Sequence, residues 1–281
     1  MPEWAEVRIT ADFINMVTTG KLVTKIKLSP YVKLKNLAQQ VFPFSISAKS
    51  RGKELGLVFQ SGNWKCRYTV TLGMSGKFIL VCDEDDLPKH SHARFILSDQ
   101  TELVFVDVRR FGKGDCRDWA PHRGPDPYDE FEVFKNNIYT NMQKKILSKP
   151  ISEILMNQNY FNGVGNYLRA EICGKFDCNP FSSAREIIND EFLSHIPKIM
   201  HQSYLCSGGS LHQWQNPFSN TEKSGKHLKE TQSLQDWLEF YGKGESIVDK
   251  TGRRFWFNSK WRNFLNETLI LGDPTQETGT N

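Results

Sequence analysis

The chain contains 281 residues, and its 36 Lys and Arg against 32 Asp and Glu give a formal charge of +4. This mild excess allows a nucleic-acid partner but does not require one. A hydrophobic content of 38% excludes a wholly disordered chain, and no run approaches the roughly 18 consecutive apolar residues of a membrane-spanning helix. The six cysteines match neither a disulfide framework nor paired zinc ligands. Since the N-terminus lacks a signal-peptide pattern, we expect a soluble intracellular protein of about two domains.

The first part of the chain is predicted to form one helix followed by short strands. Apolar residues recur at helical spacing over residues 3–19, and Gly20 stands where a C-terminal cap is expected. From Lys21 to about Cys116 the pattern changes to short runs rich in Val, Ile, Phe and Tyr, separated by Gly, Ser, Asp or Asn. This spacing predicts a β-sandwich or barrel. The predicted strands are residues 51–60, 65–72, 77–82, 93–97 and 102–108.

A proline-rich stretch, residues 119–129, is predicted to be the linker to a helical region. Two strand-like runs around residues 249–252 follow that helical region. We therefore predict an α+β protein with an N-terminal helix and β-sandwich in residues 1–118, a helical domain in 130–272, and a disordered tail in 273–281. The predicted helices are residues 130–147, 151–157, 167–175, 184–189, 191–206 and 234–240, with a polar loop at 207–230.

The most informative motif is Gln158-Asn-Tyr-Phe-Asn-Gly-Val-Gly-Asn166-Tyr-Leu-Arg-Ala-Glu171. Gly163 and Gly165 permit positive φ and a close backbone approach, and Asn166 then opens a helix whose free N–H groups can hold a phosphate. A Gly-x-Gly pair alone is more simply an ordinary turn between helices. The full string resembles the helix–two-turn–helix motif of the formamidopyrimidine-DNA glycosylase/endonuclease VIII (Fpg/Nei) family. That resemblance implies that Asn166 and neighbouring N–H groups grip DNA phosphates.

The N-terminus resembles the same family, whose enzymes begin with Pro-Glu once the initiator Met is removed. Pro2 and Glu3 follow Met1 here. An internal prolyl nitrogen is an amide, but a terminal one is a secondary amine with a pKa of roughly 8 or above. It can displace a base at sugar C1′ and form an iminium, while Glu3 moves protons to and from the opening sugar. The dipeptide alone fits an ordinary helix start equally well, and the other motifs decide for catalysis.

Two further segments resemble family loops that contact the DNA backbone. Ser50-Arg-Gly-Lys53 looks like a turn leading into a strand, and the resemblance implies that Lys53 reaches the lesion-bearing strand and assists elimination. Lys89-His90-Ser-His92 resembles a segment whose first His touches a phosphate, which implies His90. Taken alone, a Lys after a Gly and a His on a loop are ordinary surface residues.

Two other loops resemble those that fill the hole left by an everted nucleotide. They are Gly73-Met74-Ser-Gly76 and Asp107-Val-Arg109-Arg-Phe111-Gly112, and the resemblance implies Met74, Arg109 and Phe111 as the inserted side chains. Flipping a base costs a few kcal/mol of stacking, which inserted side chains partly offset. Without the resemblance, a Met at such a position is more often part of a core.

Residues of about 241–258 indicate the subfamily. Bacterial members end in a four-Cys zinc finger that carries a phosphate-binding Arg, whereas this chain has no Cys after Cys206. The Asp249-Lys-Thr-Gly252 turn suits a tight hairpin, and the aromatic run 255–257 can supply packing in place of metal. This resembles the zincless finger of the animal Nei-like glycosylases. Arg253 then matches the finger Arg, and Arg254 is the neighbour with which it could be confused.

Together these resemblances imply a bifunctional DNA glycosylase/AP lyase of base excision repair. The catalytic residues would be Pro2, Glu3, Lys53 and Arg253, with no metal or organic cofactor because iminium chemistry uses only the protein amine. The implied substrates are oxidised pyrimidines, formamidopyrimidines and hydantoins in damaged double-stranded or bubble DNA. We expect the protein to act as a monomer in the nucleus without membrane contact. Downstream repair proteins are its candidate partners.

Two departures from the family pattern leave alternatives open. Trp4-Ala5 stands where the family has Gly-Pro, so a damaged-DNA-binding protein that has lost catalysis is one alternative. Residues 207–233 have no match to the lesion-capping loop, so an Fpg-like preference for 8-oxoguanine is another. A generic nucleic-acid-binding module is a third alternative, but it gives no reason for a terminal Pro2.

Overall fold

The structure is a computed structural model that describes residues 2–32, 42–110, 112–206, 214–220 and 233–265. The predicted void-filling residue Phe111, the predicted tail 273–281 and most of the 207–233 loop lie outside the described residues. In the described part, no helix has both the length and the apolar character needed to cross a bilayer.

Helix α1 spans Trp4–Thr18, close to the predicted range. Glu3 is its N-cap, and the Glu6 carboxylate accepts the Glu3 N–H at 2.7 Å, which closes a capping box. Gly20 follows the helix with φ +73°, a conformation that glycine adopts without strain. Most of the helix is buried because it packs against a strand layer on one side and against helix α6, Asp190–Leu205, on another.

Two four-stranded antiparallel sheets pack face to face after α1, which confirms the predicted β-sandwich. The first has the order β1-β6-β7-β5 and the second β2-β3-β4-β8. Strands β1, β2 and β8 were absent from the predicted ranges, because β1 and β2 carry many Lys, Ser and Thr residues and β8 has three residues. The strands are β1 Val23–Leu28, β2 Ser45–Arg51, β3 Glu54–Ser61, β4 Trp64–Thr71, β5 Lys77–Val81, β6 Ser91–Leu97, β7 Glu102–Val106 and β8 Lys113–Asp115.

The strand predicted over residues 51–60 begins at Glu54 in the structure, three residues after its predicted start. Arg51 pairs with Glu54 across a two-residue turn, and Gly52 in that turn has φ +58°. The reversal therefore depends on glycine. It separates β2 from β3 and places Lys53 at the tip of a tight hairpin.

The predicted helical region is confirmed. Helices α4 and α6 match their predicted ranges within one residue, whereas the other four helices are shorter than predicted. The predicted helix 130–147 ends at Thr140, where Asn141 donates to the Asn137 carbonyl at 2.6 Å. Such side-chain bonds to the backbone compete with helix continuation. The elements are α2 Phe131–Thr140, α3 Ile151–Ile154, α4 Asn166–Lys175, α5 Ala184–Ile187, α6 Asp190–Leu205, α7 Leu234–Trp237, β9 Glu245–Val248 and β10 Arg254–Phe257.

Helix α1 joins the two hydrophobic cores of the molecule. Trp4 and Ala5 pack in the core of the helical region, whereas Phe13 and its neighbours along the helix pack in the core of the sandwich. The Trp4 indole N–H donates to the buried Asp126 carboxylate at 2.9 Å. Asp126 also accepts the Gly52 N–H at 2.7 Å. The segment 119–129 is thereby fixed against both α1 and the Lys53 turn.

Candidate active site

A cavity of about 290 Å³ lies where the sandwich, the segment 119–129 and the helical region meet. Three of the four predicted catalytic residues, Pro2, Lys53 and Arg253, line it although they are far apart in the sequence. The larger cavity of about 330 Å³ lies among apolar side chains of the sandwich and contains none of them. The chemistry expected from the sequence therefore converges on the first cavity, which we call the Pro2 cavity. Its lining residues are Pro2, Val7, Lys53, Thr71, Leu72, Gly73, Arg123, Met156, Gln158 and Arg253.

Glu3 lies behind Pro2 and binds the N-terminus of helix α4. Its buried carboxylate accepts three backbone N–H groups: those of Gly165 at 2.8 Å, Tyr167 at 3.0 Å and Leu168 at 3.2 Å. The sequence suggested that the free N–H groups of this helix hold a DNA phosphate. These three hold a carboxylate of the protein instead, since a helix N-terminus attracts any anion of suitable reach.

The glycines of the turn before α4 allow this approach. A Cβ on Gly165 would lie 2.3 Å from the Glu3 carboxyl carbon. Gly163 has φ +102°, and its carbonyl accepts the Trp4 N–H at 3.1 Å. The two glycines of the Gly-Val-Gly turn are thus required for its close contact with the N-terminal segment that contains Pro2 and Glu3.

Lys53 is buried beside the same turn. Its Nζ donates to the Val164 carbonyl at 2.8 Å. Burial lowers the pKa of Lys53 to about 8; the charge of Glu3 opposes this shift, while Arg123 and Arg253 add to it. A substantial fraction of Lys53 is therefore neutral near physiological pH and able to accept a proton.

Two acidic groups, the N-cap Glu3 and Glu6 in the first turn of α1, lie close together. Burial raises the pKa of Glu3, against the opposing effects of Lys53 and the three N–H groups. Burial and the nearby charge of Glu3 raise the pKa of Glu6 to about 7. The Tyr167 hydroxyl donates to Glu6 at 3.1 Å. The environment of Pro2 therefore contains groups that exchange protons near neutral pH.

The hairpin formed by β9 and β10 presents Arg253 to the cavity. The Asp249 carboxylate accepts the N–H groups of Thr251 at 2.9 Å and Arg253 at 3.1 Å, which shapes the turn between the strands. Its other oxygen pairs with Arg169 of α4 at 2.8 Å. Arg254 lies on the next strand position, and its side chain donates to Ser246 instead of lining the cavity. Of the two candidates for the finger Arg, Arg253 therefore lines the cavity and Arg254 does not, and the DNA contact stays a prediction.

Aromatic packing supports this hairpin. Phe255 and Phe257 are buried against α4, and Trp256 lies on the opposite side with its ring centre 4.4 Å from that of Tyr241. The Arg169 guanidinium also lies over the Phe255 ring at 4.4 Å. Among the described residues, no three His, Cys, Asp or Glu side chains converge as metal ligands would.

Asn166 contacts the hairpin in this structure. Its Nδ2 donates to the Arg254 carbonyl at 2.8 Å, and its Oδ1 accepts a hydrogen bond from Arg169. The side chain is half-buried at the start of α4. Asn166 thus joins α4 to the hairpin. The phosphate contact predicted for it stays a prediction.

The two predicted void-filling loops are tied to each other. The Ser75 hydroxyl donates to the buried Asp107 carboxylate at 2.5 Å and accepts the Arg109 N–H at 3.1 Å. Met74, next to the cavity-lining Gly73, is 37% exposed, and Arg109 is exposed as well. Both residues therefore lie exposed on adjoining turns, and their insertion into DNA stays a prediction.

Within the described part of the chain, His90 does not line the Pro2 cavity, and no contact joins it to Lys53. It has φ +72°, and its ring centre lies 6.3 Å from that of His92. His92 is buried and bonded to Ser29 and to the Asp107 carbonyl, each at 3.0 Å. His92 thus holds the loop on which His90 is displayed, and the predicted phosphate contact of His90 stays a prediction.

Sequence analysis missed Arg123, Met156 and Gln158, which also line the Pro2 cavity. Gln158 is the first residue of the predicted helix–two-turn–helix motif, and Arg123 lies within the predicted linker, but neither was predicted to be a site residue. Their one sequence signal is their place within or beside segments that match the family. The departure at Trp4 is also explained, since Trp4 is fully buried and bonded to Asp126 rather than directed into the cavity.

The raised pKa of Glu6 predicts a pH dependence of stability. A carboxyl with a folded pKa of about 7 and an ordinary value of 4.5 binds more protons in the folded state, so the free energy of unfolding falls as pH rises through this window. We expect Glu6→Gln to remove roughly 3 kcal/mol of that fall. Urea unfolding at pH 4.5 to 8 measures it. Glu132→Gln, at an exposed position of α2, should keep the wild-type slope; the same slope in Glu6→Gln would contradict the assignment.

Several known proteins are similar to this chain. The family model described as formamidopyrimidine-DNA glycosylase N-terminal domain matches residues 1–114. Human endonuclease 8-like 1 is 32% identical over 293 residues, covering 92% of this chain and 72% of the human protein. The mouse protein of the same name is 37% identical over 204 residues, covering 67% of this chain and 51% of its own length. Formamidopyrimidine-DNA glycosylase of Bacillus cereus is 26% identical and covers 88% of this chain and 91% of its own.

Solved structures show the same fold. A complex between a mutant of Lactococcus lactis FPG and DNA containing Fapy-dG aligns with a TM-score of 0.72 at 21% identity, covering 92% of this chain and 99% of the other. A MutM complex with DNA containing carbocyclic 8-oxo-G aligns with a TM-score of 0.69 at 22% identity, covering 91% and 97%. With the sequence similarity to human endonuclease 8-like 1 over most of both chains, these findings establish that the chain belongs to the Fpg/Nei family.

Proposed function

We propose that this protein is a bifunctional DNA glycosylase/AP lyase that removes oxidised bases from DNA. The observation that carries the proposal is the convergence of Pro2, Lys53 and Arg253 on one cavity, with Glu3 directly behind Pro2. Membership of a DNA glycosylase family supports the activity. DNA would lie between the sandwich, residues 1–118, and the helical region, residues 130–272, across the segment 119–129.

The first step of the proposed reaction is a displacement at the sugar. Removal of Met1 frees the Pro2 nitrogen as a secondary amine, which attacks C1′ of the everted nucleotide. The bond between C1′ and the base breaks, and its electron pair leaves with the base, which gains a proton. The amine loses its proton, the sugar ring opens and an iminium joins Pro2 to C1′. Glu3, whose carboxylate is held by the N–H groups at the start of α4, exchanges protons with the opening sugar.

The second step is elimination at the phosphates. The iminium makes the C2′ proton acidic, and its loss expels the 3′ phosphate; loss of the C4′ proton then expels the 5′ phosphate. Lys53, with a pKa of about 8, accepts a proton in these steps. A gap of one nucleotide flanked by phosphates remains, and water releases the enzyme from the sugar fragment.

The remaining predicted residues serve DNA binding in this proposal. Asn166, His90 and Arg253 bind the backbone, and Met74, Arg109 and Phe111 fill the void left by the everted nucleotide. The full burial of Trp4 within the helical core favours catalysis over a binding protein with a blocked nucleophile. Action as a monomer in the nucleus belongs to the same proposal.

Pro2→Thr tests the nucleophile. We expect the variant to bind a duplex with an abasic site as the wild type does, but to form no covalent adduct on borohydride treatment, because the secondary amine is lost. Gel shift and mass spectrometry of the N-terminal peptide measure the two properties. Pro121→Thr, an exposed proline of the segment 119–129, serves as the matched control. Normal trapping by Pro2→Thr would refute the assignment.

Substrate preference is tested with duplexes that carry one lesion each. We expect thymine glycol to be excised at least about tenfold faster than 8-oxoguanine, a ratio within the range that pocket contacts supply. The higher identity to endonuclease 8-like 1 than to formamidopyrimidine-DNA glycosylase supports this order. Single-turnover rates measure it, and the reverse order would favour the Fpg-like alternative.

Arg253→Ala and Arg254→Ala form a matched pair on the hairpin. Since the Arg253 side chain lines the Pro2 cavity and the Arg254 side chain bonds to Ser246, only the first should impair lesion processing. We expect kcat/KM to fall roughly 10- to 100-fold, the range of a lost charge-assisted hydrogen bond. Thermal unfolding should leave both folds intact. A larger loss in Arg254→Ala would reverse the assignment.

A further inference from the structure

We propose that Arg123 binds a DNA phosphate next to the everted nucleotide, together with Lys53 and Arg253, and so completes an anion site around Pro2. The inference rests on the proposed function and deepens it. Arg123 lies in the segment 119–129, whereas Lys53 is on the β2–β3 turn and Arg253 on the β9–β10 hairpin. All three line the same cavity.

The charge of the Pro2 cavity is one-sided. Within the described part of the chain, its lining includes three cationic side chains and no carboxylate. The Arg123 side chain is 16% exposed. Cations facing a partly enclosed space raise the local affinity for an anion well above that of surface lysines. A phosphodiester of the lesion strand is the anion that the proposed reaction brings there.

The charge of Arg123 is incompletely neutralised by the protein. Its nearest acid is the fully buried Glu54, at 3.8 Å. Glu54 is held more closely by Arg117 at 2.8 Å, and it also accepts the Ala120 N–H at 3.0 Å. One carboxylate thus faces two guanidinium groups, and a positive charge is left over on the side of the cavity.

The side-chain hydrogen bonds of Arg123 are weak. Its Nη1 donates to Gln158 at 3.4 Å and to Asn162 at 3.5 Å, at the long limit for such bonds. A phosphate oxygen offers a shorter, charge-assisted bond to the same planar group. The structure therefore contains a guanidinium with capacity for a stronger acceptor.

The backbone holds Arg123 in place. The Gly124 N–H donates to the Gln158 carbonyl at 2.9 Å, and a Cβ on Gly124 would lie 2.2 Å from the Asn159 carbonyl oxygen. Gln158 also donates at 2.9 Å to the Val164 carbonyl that accepts Lys53. Arg123 and Lys53 are thus positioned by the same short segment, so that a phosphate bound by one lies within the field of the other.

Salt dependence of binding tests the proposal. The probe is a duplex with an uncleavable tetrahydrofuran abasic analogue, titrated with the full chain at several KCl concentrations. Loss of one phosphate contact should lower the slope of log affinity against log salt by about 0.9. We expect Arg123→Gln to show this loss and about tenfold weaker binding. Arg67→Gln, which removes a surface charge paired with Asp118, should behave as the wild type. An unchanged slope in Arg123→Gln would overturn the proposal.

A second measurement identifies the phosphate that Arg123 binds, and it can be made even if the Arg123→Gln variant does not fold. Neutral methylphosphonates placed one at a time around the analogue should weaken wild-type binding at one flanking position. Arg123→Lys keeps a charge beside Glu54 but lacks the planar guanidinium, so the penalty at that position should shrink. An equal penalty in wild type and Arg123→Lys would exclude the contact. Borohydride trapping by the wild type is a separate measurement, so that failure of catalysis and failure of this phosphate site are distinguished.

Discussion

The carboxylate of Glu3 at the N-terminus of helix α4 is the contact on which the site depends. Residue 3 lies next to the proposed nucleophile, and helix α4 begins more than 160 positions further along the chain. The N–H bonds from Gly165, Tyr167 and Leu168 therefore connect the N-terminal residues to the helical region. The helix dipole and these bonds offset the cost of burying a charge. Because Glu3 also caps α1, the direction in which Pro2 enters the cavity is determined by two helices at once.

Burial and charge together set the proton chemistry around Pro2. Glu3, Glu6 and Lys53 are all buried, and burial alone disfavours the charged form of each. The resulting shifts bring the pKa of Glu6 to about 7 and that of Lys53 to about 8. Lys53 lines the Pro2 cavity, so it is placed for the proton transfers of the proposed reaction. The same enclosure concentrates the field of Arg123 and Arg253 on the cavity, so the features that tune catalysis also attract DNA.

The sequence predicted the fold class and the order of the motifs, but not every contact between them. Apolar periodicity and the enrichment of Val, Ile, Phe and Tyr located α1 and five of the eight strands of the sandwich. Pro2, Lys53 and Arg253 were predicted because their motifs resemble those of the Fpg/Nei family, and for Pro2 the chemistry of a terminal secondary amine gave a further reason. Their catalytic roles stay predictions. The occupant of the α4 N-terminus was not predictable, since a Gly-Val-Gly turn accepts a phosphate or a carboxylate equally well. Arg123 was missed for a related reason: its role depends on which segments meet at the cavity, and no local pattern encodes that.

The hairpin of β9 and β10 is positioned by contacts with helix α4. Asp249 shapes the turn before Arg253 and pairs with the buried Arg169, while Glu171 of the same helix α4 accepts the N–H groups of Phe240 at 2.9 Å and Tyr241 at 2.8 Å. A buried ion pair adds little net stability, but removing one partner is costly, and this makes it effective at fixing one arrangement. Since α4 also binds Glu3, the nucleophile and Arg253 share one support. A shift of this helix would move both, so the proposed contact of Arg253 with the DNA backbone and the proposed attack of Pro2 at C1′ would change together.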